Sequence, residues 1–336
     1  MIREGITYDD VLILPQYSDV VTRENINVKN KLFGDFRLPI ISAPMDTVSG
    51  PALVTALWEC GAYGILHRFS DFKDREEDVL EARKYNLNSE FGVSVGVKNW
   101  GETSKWLDSI CKYDIHSICI DVAHGHHALV GYTIENIQNW MENRGVAPYI
   151  IAGNIATYEG FKSVASWGAD AVRVGIGPGS ACTTRTTTGV GVPQLTALMD
   201  VVDARTEWGY NNVSIIADGG IQHPGDIAKA IAAGADAVML GKMLAGSNES
   251  EAPTVHGRKT YRGQSTVGSN GYREAPEGII GTVSATGPVI NTIRQLEQYL
   301  RSSFSYVGAK NIDEFRENAQ FIRVSPATHL ETGTRL

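Results

Sequence analysis

Ala171-Val-Arg-Val-Gly-Ile-Gly-Pro-Gly-Ser-Ala-Cys-Thr-Thr-Arg185 joins a short apolar run to a glycine-rich loop that ends in a cysteine and two threonines. Ala171 to Val174 is too short for a buried helix and rich in valine, so it reads as a strand. Gly175, Gly177 and Gly179 permit tight turns and let backbone N–H groups approach an anion. The loop is not a GxGxxG dinucleotide fingerprint, because position 180 is serine. A helical pattern from Gln194 to Glu207 follows. The unit is therefore strand, loop, helix.

Working outward, the same unit recurs. Short Val- and Ile-rich runs lie at Leu38 to Ala43, Ala62 to Leu66, Gly92 to Gly96, Ser117 to Asp121, Tyr149 to Ala152, Val213 to Ala217 and Ala237 to Leu240. With Ala171 to Val174 they make eight. Their near-continuous apolarity fits parallel strands covered on both faces. Helical patterns separate them: Pro51 to Glu59, Lys73 to Tyr85, Thr103 to Tyr113, His127 to Asn143, Tyr158 to Trp167 and Pro224 to Ala233, with Asn291 to Ser302 last. Pro224 suits a first helical position. Eight strands alternating with helices predict a (β/α)8 TIM barrel, with an open doubly wound sheet as the alternative. One barrel domain accounts for residues 1–336. A polar insertion at 246–286 follows the eighth strand, long enough to be an active-site flap or a disordered loop. The polar tail after Gln320 is expected on the surface.

Composition narrows the function. A net charge of −8 disfavours nucleic-acid and membrane partners, so any anionic substrate must be held by local donors. No run of about 18 apolar residues is present, so no membrane-spanning helix is expected. Cys60, Cys111, Cys119 and Cys182 form no CxxC pair, and so few thiols fit a reducing, cytoplasmic setting. Cys60, Cys111 and Cys119 sit within apolar patterns and are expected in the core.

In a barrel the reactive groups gather at the C-terminal ends of the strands. Here those ends carry Asp46, His67-Arg68, Asp121, Asn154, the glycine–cysteine loop, Asp218-Gly-Gly220 and Gly241-Lys242. Glycines after the sixth, seventh and eighth strands are a candidate phosphate cradle. Cys182 is either a small buried hydrophobe or a nucleophile, and its glycine- and threonine-rich setting favours the nucleophile. Asp121 would cap the next helix or hold a ligand hydroxyl. Arg68 would form a structural ion pair or face the ligand. His124, His126 and His127 lack a metal-binding spacing with a glutamate.

The sequence resembles the inosine monophosphate dehydrogenase and guanosine monophosphate reductase family over nearly its whole length. The resemblance is carried by Thr7-Tyr-Asp-Asp-Val-Leu12, Ser42-Ala-Pro-Met-Asp-Thr-Val48, Asp121-Val-Ala-His-Gly-His126, Ala152-Gly-Asn154, Gly175 to Arg185, Gly189-Val-Gly-Val-Pro-Gln194, Ala217-Asp-Gly-Gly-Ile221 and Tyr261-Arg-Gly263. It implies a TIM barrel acting on a purine nucleotide monophosphate, assembled as a homotetramer. It also implies that Cys182 attacks the purine C2. By the same resemblance Ser180, Asp218, Gly219, Gly220, Gly241, Lys242, Tyr261 and Gly263 hold the substrate. Asp121, Ala123, Asn154 and Arg173 would lie near the nicotinamide cofactor. Backbone carbonyls at Gly177, Gly179 and Cys182 resemble a potassium site that a neighbouring subunit's C-terminal segment completes; Leu330-Glu-Thr332 is only loosely similar to that segment.

Two reactions share the cysteine adduct. The dehydrogenases of the family carry a long flap whose Arg-Tyr pair precedes Pro-Glu-Gly by a dozen or more residues. Here Tyr272-Arg273 nearly abuts Glu277. That short form, the lack of a CBS regulatory domain between Phe72 and Val93, Ser302 to Gly308 and His67-Arg-Phe69 resemble the reductases. Glu277 and Thr184 then match the pair that handles ammonia, with proton transfer as their task. Ser42 to Asp46, Val192 and Pro276 to Ile279 resemble the dehydrogenases instead. Arg68, Lys242 and Gln264 depart from the usual family residues. The resemblance thus implies NADPH-dependent reduction of GMP to IMP and ammonia, the alternative being NAD-dependent oxidation of IMP to XMP.

Overall fold

A computed structural model describes residues 2–268, 271, 272, 275–325, 327 and 328. Eight parallel strands form one sheet: β1 (Ile40–Ser42), β2 (Gly64–Leu66), β3 (Phe91–Val95), β4 (Ser117–Asp121), β5 (Tyr149–Ile155), β6 (Ala171–Val174), β7 (Ser214–Asp218) and β8 (Ala237–Leu240). Each pairs with its chain neighbours, and β8 pairs back onto β1. The ring closes between β1 and β2, where Ser42 N–H donates to the Tyr63 carbonyl at 3.0 Å and Tyr63 N–H to the Ile40 carbonyl at 3.0 Å. The sheet is a TIM barrel, not the open doubly wound alternative.

The alternation of each strand explains the unbroken apolar runs. In β4, Ile118 and Ile120 join the large cluster shared with the outer helices, while Cys119 joins a smaller cluster inside the barrel. Ile41, Tyr63, Ile65, Ile151, Ala171, Ile216, Ala237 and Met239 fill that interior. Both faces of the sheet are thus dry, as parallel strands require.

The helices between the strands are α1 (Pro51–Glu59), α2 (Phe72–Tyr85), α3 (Trp100–Ile110), α4 (Ala128–Arg144), α5 (Tyr158–Ser166), α6 (Gln194–Glu207) and α7 (Pro224–Ala232), with α8 (Val289–Tyr306) last. Pro224 opens α7, as expected, and Asp226 there accepts from the His223 and Gln222 N–H groups at 2.9 and 3.0 Å. His127 lies just before α4, its Nδ1 accepting from Leu129 N–H at 3.1 Å. α8 is longer at both ends than its sequence pattern suggested, starting directly after Pro288.

Strands outside the barrel were absent from the sequence-based expectation. A hairpin of Asn30–Leu32 and Asp35–Arg37 places Phe33 against Tyr63, Tyr149 and His116, below the strand N-termini. Val11–Ile13 pairs with Phe321–Arg323, so the tail after Gln320 begins as a short, largely exposed strand. The insertion is ordered over its described residues: Thr254–Val255, Arg258–Arg262 and Ile280–Ser284 form an antiparallel sheet. It is anchored by Lys259, whose buried Nζ donates to the Ser247, Ser250 and Asn248 carbonyls at 2.7, 2.8 and 3.3 Å. Three acceptors match the three donors of an ammonium, which is what makes its burial tolerable. No described helix is long and apolar enough to cross a membrane.

Candidate active site

A cleft of about 280 Å³ opens at the C-terminal ends of the strands. Its lining includes Cys182, Thr184 and Glu277, as well as Asp121, Asn154, Arg173 and Asp218. The candidate substrate residues Ser180, Gly219, Gly220, Gly241, Lys242, Tyr261 and Gly263 line it too, as do Ala123, Gly177 and Gly179. Residues separated by more than 150 positions therefore converge, because the barrel gathers its strand ends at one mouth and the flap folds over it.

The floor is an ion network inside the barrel mouth. Arg173, on β6, is 5% exposed and donates to Asp121 Oδ1 at 2.7 Å and to Asp218 Oδ2 at 2.8 Å. Burial works against its charge, but the facing carboxylates outweigh it, and the guanidinium is held well above its ordinary pKa. Asn154 Nδ2 adds bonds to Asp218 Oδ2 at 2.8 Å and the Gly175 carbonyl at 2.9 Å. Arg68 reaches the Asp121 carbonyl at 2.9 Å and its carboxylate at 3.4 Å. Arg68 is thus both an ion-pair partner and part of the cleft lining. Asp121 does not cap α4; His127 occupies that position. Gly153 makes room for the network, since a Cβ there would lie 2.6 Å from Arg173 Cβ.

The glycine loops form one wall. Gly219 and Gly220 have φ of 88° and 79°, conformations that side chains rarely adopt. A Cβ on Gly175 would lie 2.0 Å from the Asp218 carbonyl oxygen, so only glycine lets the ends of β6 and β7 come together. The backbone N–H groups of Ser180, Gly219 and Gly220 have no backbone acceptor among the described residues. Free amides at a barrel mouth suit an anion such as a phosphate. Tyr261 closes this wall beside Gly241, where a Cβ would meet its hydroxyl at 2.8 Å. Burial raises the Tyr261 pKa, keeping the phenol neutral and able to donate.

Opposite lies the candidate nucleophile. Cys182 Sγ is 3.2 Å from Thr184 Oγ1, which donates to Glu277 Oε2 at 2.7 Å. The flap delivers Glu277 by backbone pairing. Thr183 N–H donates to the Glu277 carbonyl at 2.9 Å, and Ile279 N–H to the Ala181 carbonyl at 3.0 Å. Gly263 packs on the same loop, with room for no Cβ: one would lie 2.6 Å from the Ala181 carbonyl oxygen. A thiol, a hydroxyl and a carboxylate in series can pass a proton between the reacting centre and the carboxylate.

Other expectations fared differently. Cys119 is buried inside the barrel, but Cys60 and Cys111 are only partly buried, because each lies at the end of its helix. Burial still pushes the Cys60 thiol up to about 11. His126 bonds Ser163 Oγ at 3.0 Å. The Gly179 carbonyl accepts from Cys182 N–H at 3.0 Å, and Arg185 Nε lies 3.0 Å from where a Gly177 Cβ would be. Leu330 to Thr332 and Arg273 lie outside the described residues. Arg68, Phe69, Val122 and Ala123 also line the cleft. Sequence reasoning gave no role to Met45, Met239 or Ser265, all in the lining, nor to buried Gln194, whose Nε2 donates to the Val174 carbonyl at 2.7 Å. Met45 and Met239 are marked only by their place at the ends of β1 and β8, Ser265 by the flap turn and Gln194 by the start of α6.

A family model described as IMP dehydrogenase / GMP reductase domain matches residues 5–335. An inosine-5'-monophosphate dehydrogenase of Aquifex aeolicus is 32% identical over 475 aligned positions, covering 98% of this chain and 95% of that protein. Its counterpart in Methanocaldococcus jannaschii is 43% identical over 284 residues, covering 76% of this chain and 56% of that protein. The one in Cryptosporidium parvum is 32% identical over 387, covering 96% and 93%. The Aquifex alignment is longer than the 336 residues here, so that relative contains segments with no counterpart in this chain.

Proposed function

Because the chain belongs to the IMP dehydrogenase / GMP reductase family, we propose that it transfers a hydride at C2 of a purine nucleoside 5'-monophosphate, through a covalent bond from Cys182 to that carbon. The observation that carries this is the series Cys182 Sγ, Thr184 Oγ1 and Glu277 Oε2, with successive separations of 3.2 and 2.7 Å. The direction we propose is oxidation of IMP to XMP, because the relatives cited above are IMP dehydrogenases.

In this mechanism Ser180, Gly219 and Gly220 hold the phosphate with their backbone amides. Asp218, oriented by Arg173 and Asn154, takes the ribose hydroxyls. Cys182 adds to C2; Arg68, Phe69 and Ala123 would hold a nicotinamide, which would supply the acceptor for the hydride released from that carbon. Water then attacks the adduct. Its proton passes through Thr184 to Glu277, and the Cys182 thiolate departs from XMP. The oxidant is NAD in this direction.

A second reading, NADPH-dependent reduction of GMP to IMP and ammonia, is favoured by the short spacing between Tyr272 and Glu277. The same carboxylate would then protonate the leaving amine. A homotetramer in the cytoplasm is the family expectation for either direction. Purified protein is incubated with IMP and NAD, or with GMP and NADPH, and the absorbance of the reduced nicotinamide is followed. Turnover with IMP and NAD is expected; turnover only with GMP and NADPH would establish the second reading. Cys182→Ala should abolish turnover in either direction, and near-normal activity in that variant would sink the covalent mechanism.

A further inference from the structure

Gln194 opens α6 and is fully buried behind the loops that follow β6 and β7. Its Nε2 donates to the Val174 carbonyl at 2.7 Å and to the Asp218 carbonyl at 3.4 Å. Val174 ends β6 and Asp218 ends β7, so one side-chain amide ties the two strands where their ladder stops. The loops beyond carry Ser180 and Cys182 on one side and Gly219 and Gly220 on the other.

Carbonyls only accept, so the NH2 group is the end of the amide that meets them, and Oε1 points the other way. Oε1 is buried and has no donor among the described residues. Beside it stands a second buried polar atom in the same condition, the Tyr8 hydroxyl. Both side chains back onto one residue of the cradle: a Cβ on Gly220 would lie 3.5 Å from the Tyr8 ring and 3.6 Å from Gln194 Cβ. Burial, and then the Asp226 carboxylate, raise the Tyr8 pKa, so the phenol keeps its proton and can donate. A buried donor beside a buried acceptor is costly while the two stay apart and favourable once they bond.

Tyr8 is fixed from its other side. Lys229 Nζ, on α7, donates to its carbonyl at 2.9 Å. Two residues earlier, Ile6 N–H donates to Thr196 Oγ1 at 2.8 Å, and Thr196 N–H donates to the Ile6 carbonyl at 3.1 Å. The segment ahead of the barrel is thus docked on α6 and α7, the helices that follow the two cradle loops.

We propose that Tyr8 is a positioning residue for nucleotide binding: its hydroxyl donates to Gln194 Oε1, and the amide so held sets the spacing of the β6 and β7 loops. This rests on the cleft being a purine nucleotide site, whose phosphate is shared between the amides of Ser180 on one loop and of Gly219 and Gly220 on the other. Loops at the wrong spacing satisfy a phosphate from one side only. Neither Tyr8 nor Gln194 lines the cleft, so Tyr8 acts through Gln194 and not on the ligand.

The test is equilibrium binding of IMP to the full chain by calorimetry, with a thermal melt of each protein. IMP is substrate in one direction of the proposed reaction and product in the other, so its binding does not depend on the direction. Tyr8→Phe keeps the ring behind Gly220 and removes only the hydroxyl. It should weaken IMP binding about fivefold. It should move the melting temperature by less than about 2 °C, one hydrogen bond being a small part of a fold this size. Gln194→Met should also weaken binding, and adding Tyr8→Phe to it should cost less than about a further twofold, because Tyr8 then has no acceptor to act through. Undiminished IMP affinity in Tyr8→Phe would overturn the inference alone. So would losses that multiply in the double variant. A melting temperature lowered by more than about 5 °C in Tyr8→Phe would make the residue a support of the fold and overturn the inference as well. Should Gln194→Met fail to fold, the affinity and melting temperature of Tyr8→Phe decide the matter. An unaltered chain that binds no IMP would overturn both the inference and the proposed function.

Discussion

At the scale of single residues, Arg173 sets the electrostatics of the barrel mouth. It is the buried cation between two carboxylates from different strands, Asp121 and Asp218. Removing one member of a buried ionic set is costly because the charges left behind lose their compensation. Arg173→Met keeps the length and removes the charge. It should destabilise the chain by about 3–5 kcal/mol in urea unfolding and turn Asp218 away from the cleft. A loss under about 1 kcal/mol would mean that water, rather than Arg173, neutralises the two carboxylates. Gly153 belongs to the same arrangement, since its missing side chain is the space that Arg173 occupies.

At the scale of elements, the flap is what completes the reactive series. Glu277 is held beside Thr184 by two backbone hydrogen bonds, one on each side of Cys182. Ile279→Pro removes the N–H that bonds the Ala181 carbonyl, and proline has no other donor to offer. The barrel ladder is untouched, so the melting temperature should change little. Turnover should fall by about 10²-fold, the cost of moving a catalytic group by an ångström or so. Steady-state kinetics of the variant would check this. Unchanged turnover would show that Glu277 is placed by other contacts.

At the scale of the whole molecule, the end of the barrel opposite the cleft is closed by the Asn30 to Arg37 hairpin. Phe33, with φ of 53° at the turn, sits 5.0 Å from the Tyr63 ring and 6.2 Å from the His116 ring, between centroids. His116 is held down to about 4, first by burial and then by the Arg37 guanidinium; Asp35 and Asp114 oppose this and Arg83 adds to it. Glu90 also faces the ring, 3.5 Å from His116 Nε2, but is paired with Arg37. A histidine whose pKa is lower folded than unfolded binds more protons when unfolded. Its contribution is full above its ordinary value of 6.5 and is lost as pH falls from there toward about 4. The loss should be on the order of 2 kcal/mol. Thermal melts between those pH values should show a steeper decline for the unaltered chain than for His116→Gln. Parallel curves would remove His116 from the account.

The sequence by itself determined the eight parallel strands and the reactive loop, and pointed to a barrel that ring closure between β1 and β2 then decided. Eight short Val- and Ile-rich runs read as strands dry on both faces, and the glycines after β6 and β7 marked a turn-rich candidate anion cradle. Cys182 was legible for the same reason, as a thiol in a polar, glycine-rich loop. Only the tertiary structure decided the partners of these groups. Arg173, placed near the cofactor by resemblance alone, gains its partners only when the closed barrel sets it between Asp121 and Asp218. The hairpin plug and the flap sheet escaped notice because their short strands, such as Asn30–Leu32, Asp35–Arg37 and Arg258–Arg262, are mostly polar and form no apolar run. Nor could spacing along the chain place Glu277 beside Thr184 or Asp46 beside Gln264. Those pairs are 93 and 218 residues apart, and meet because backbone pairing and barrel closure act through space.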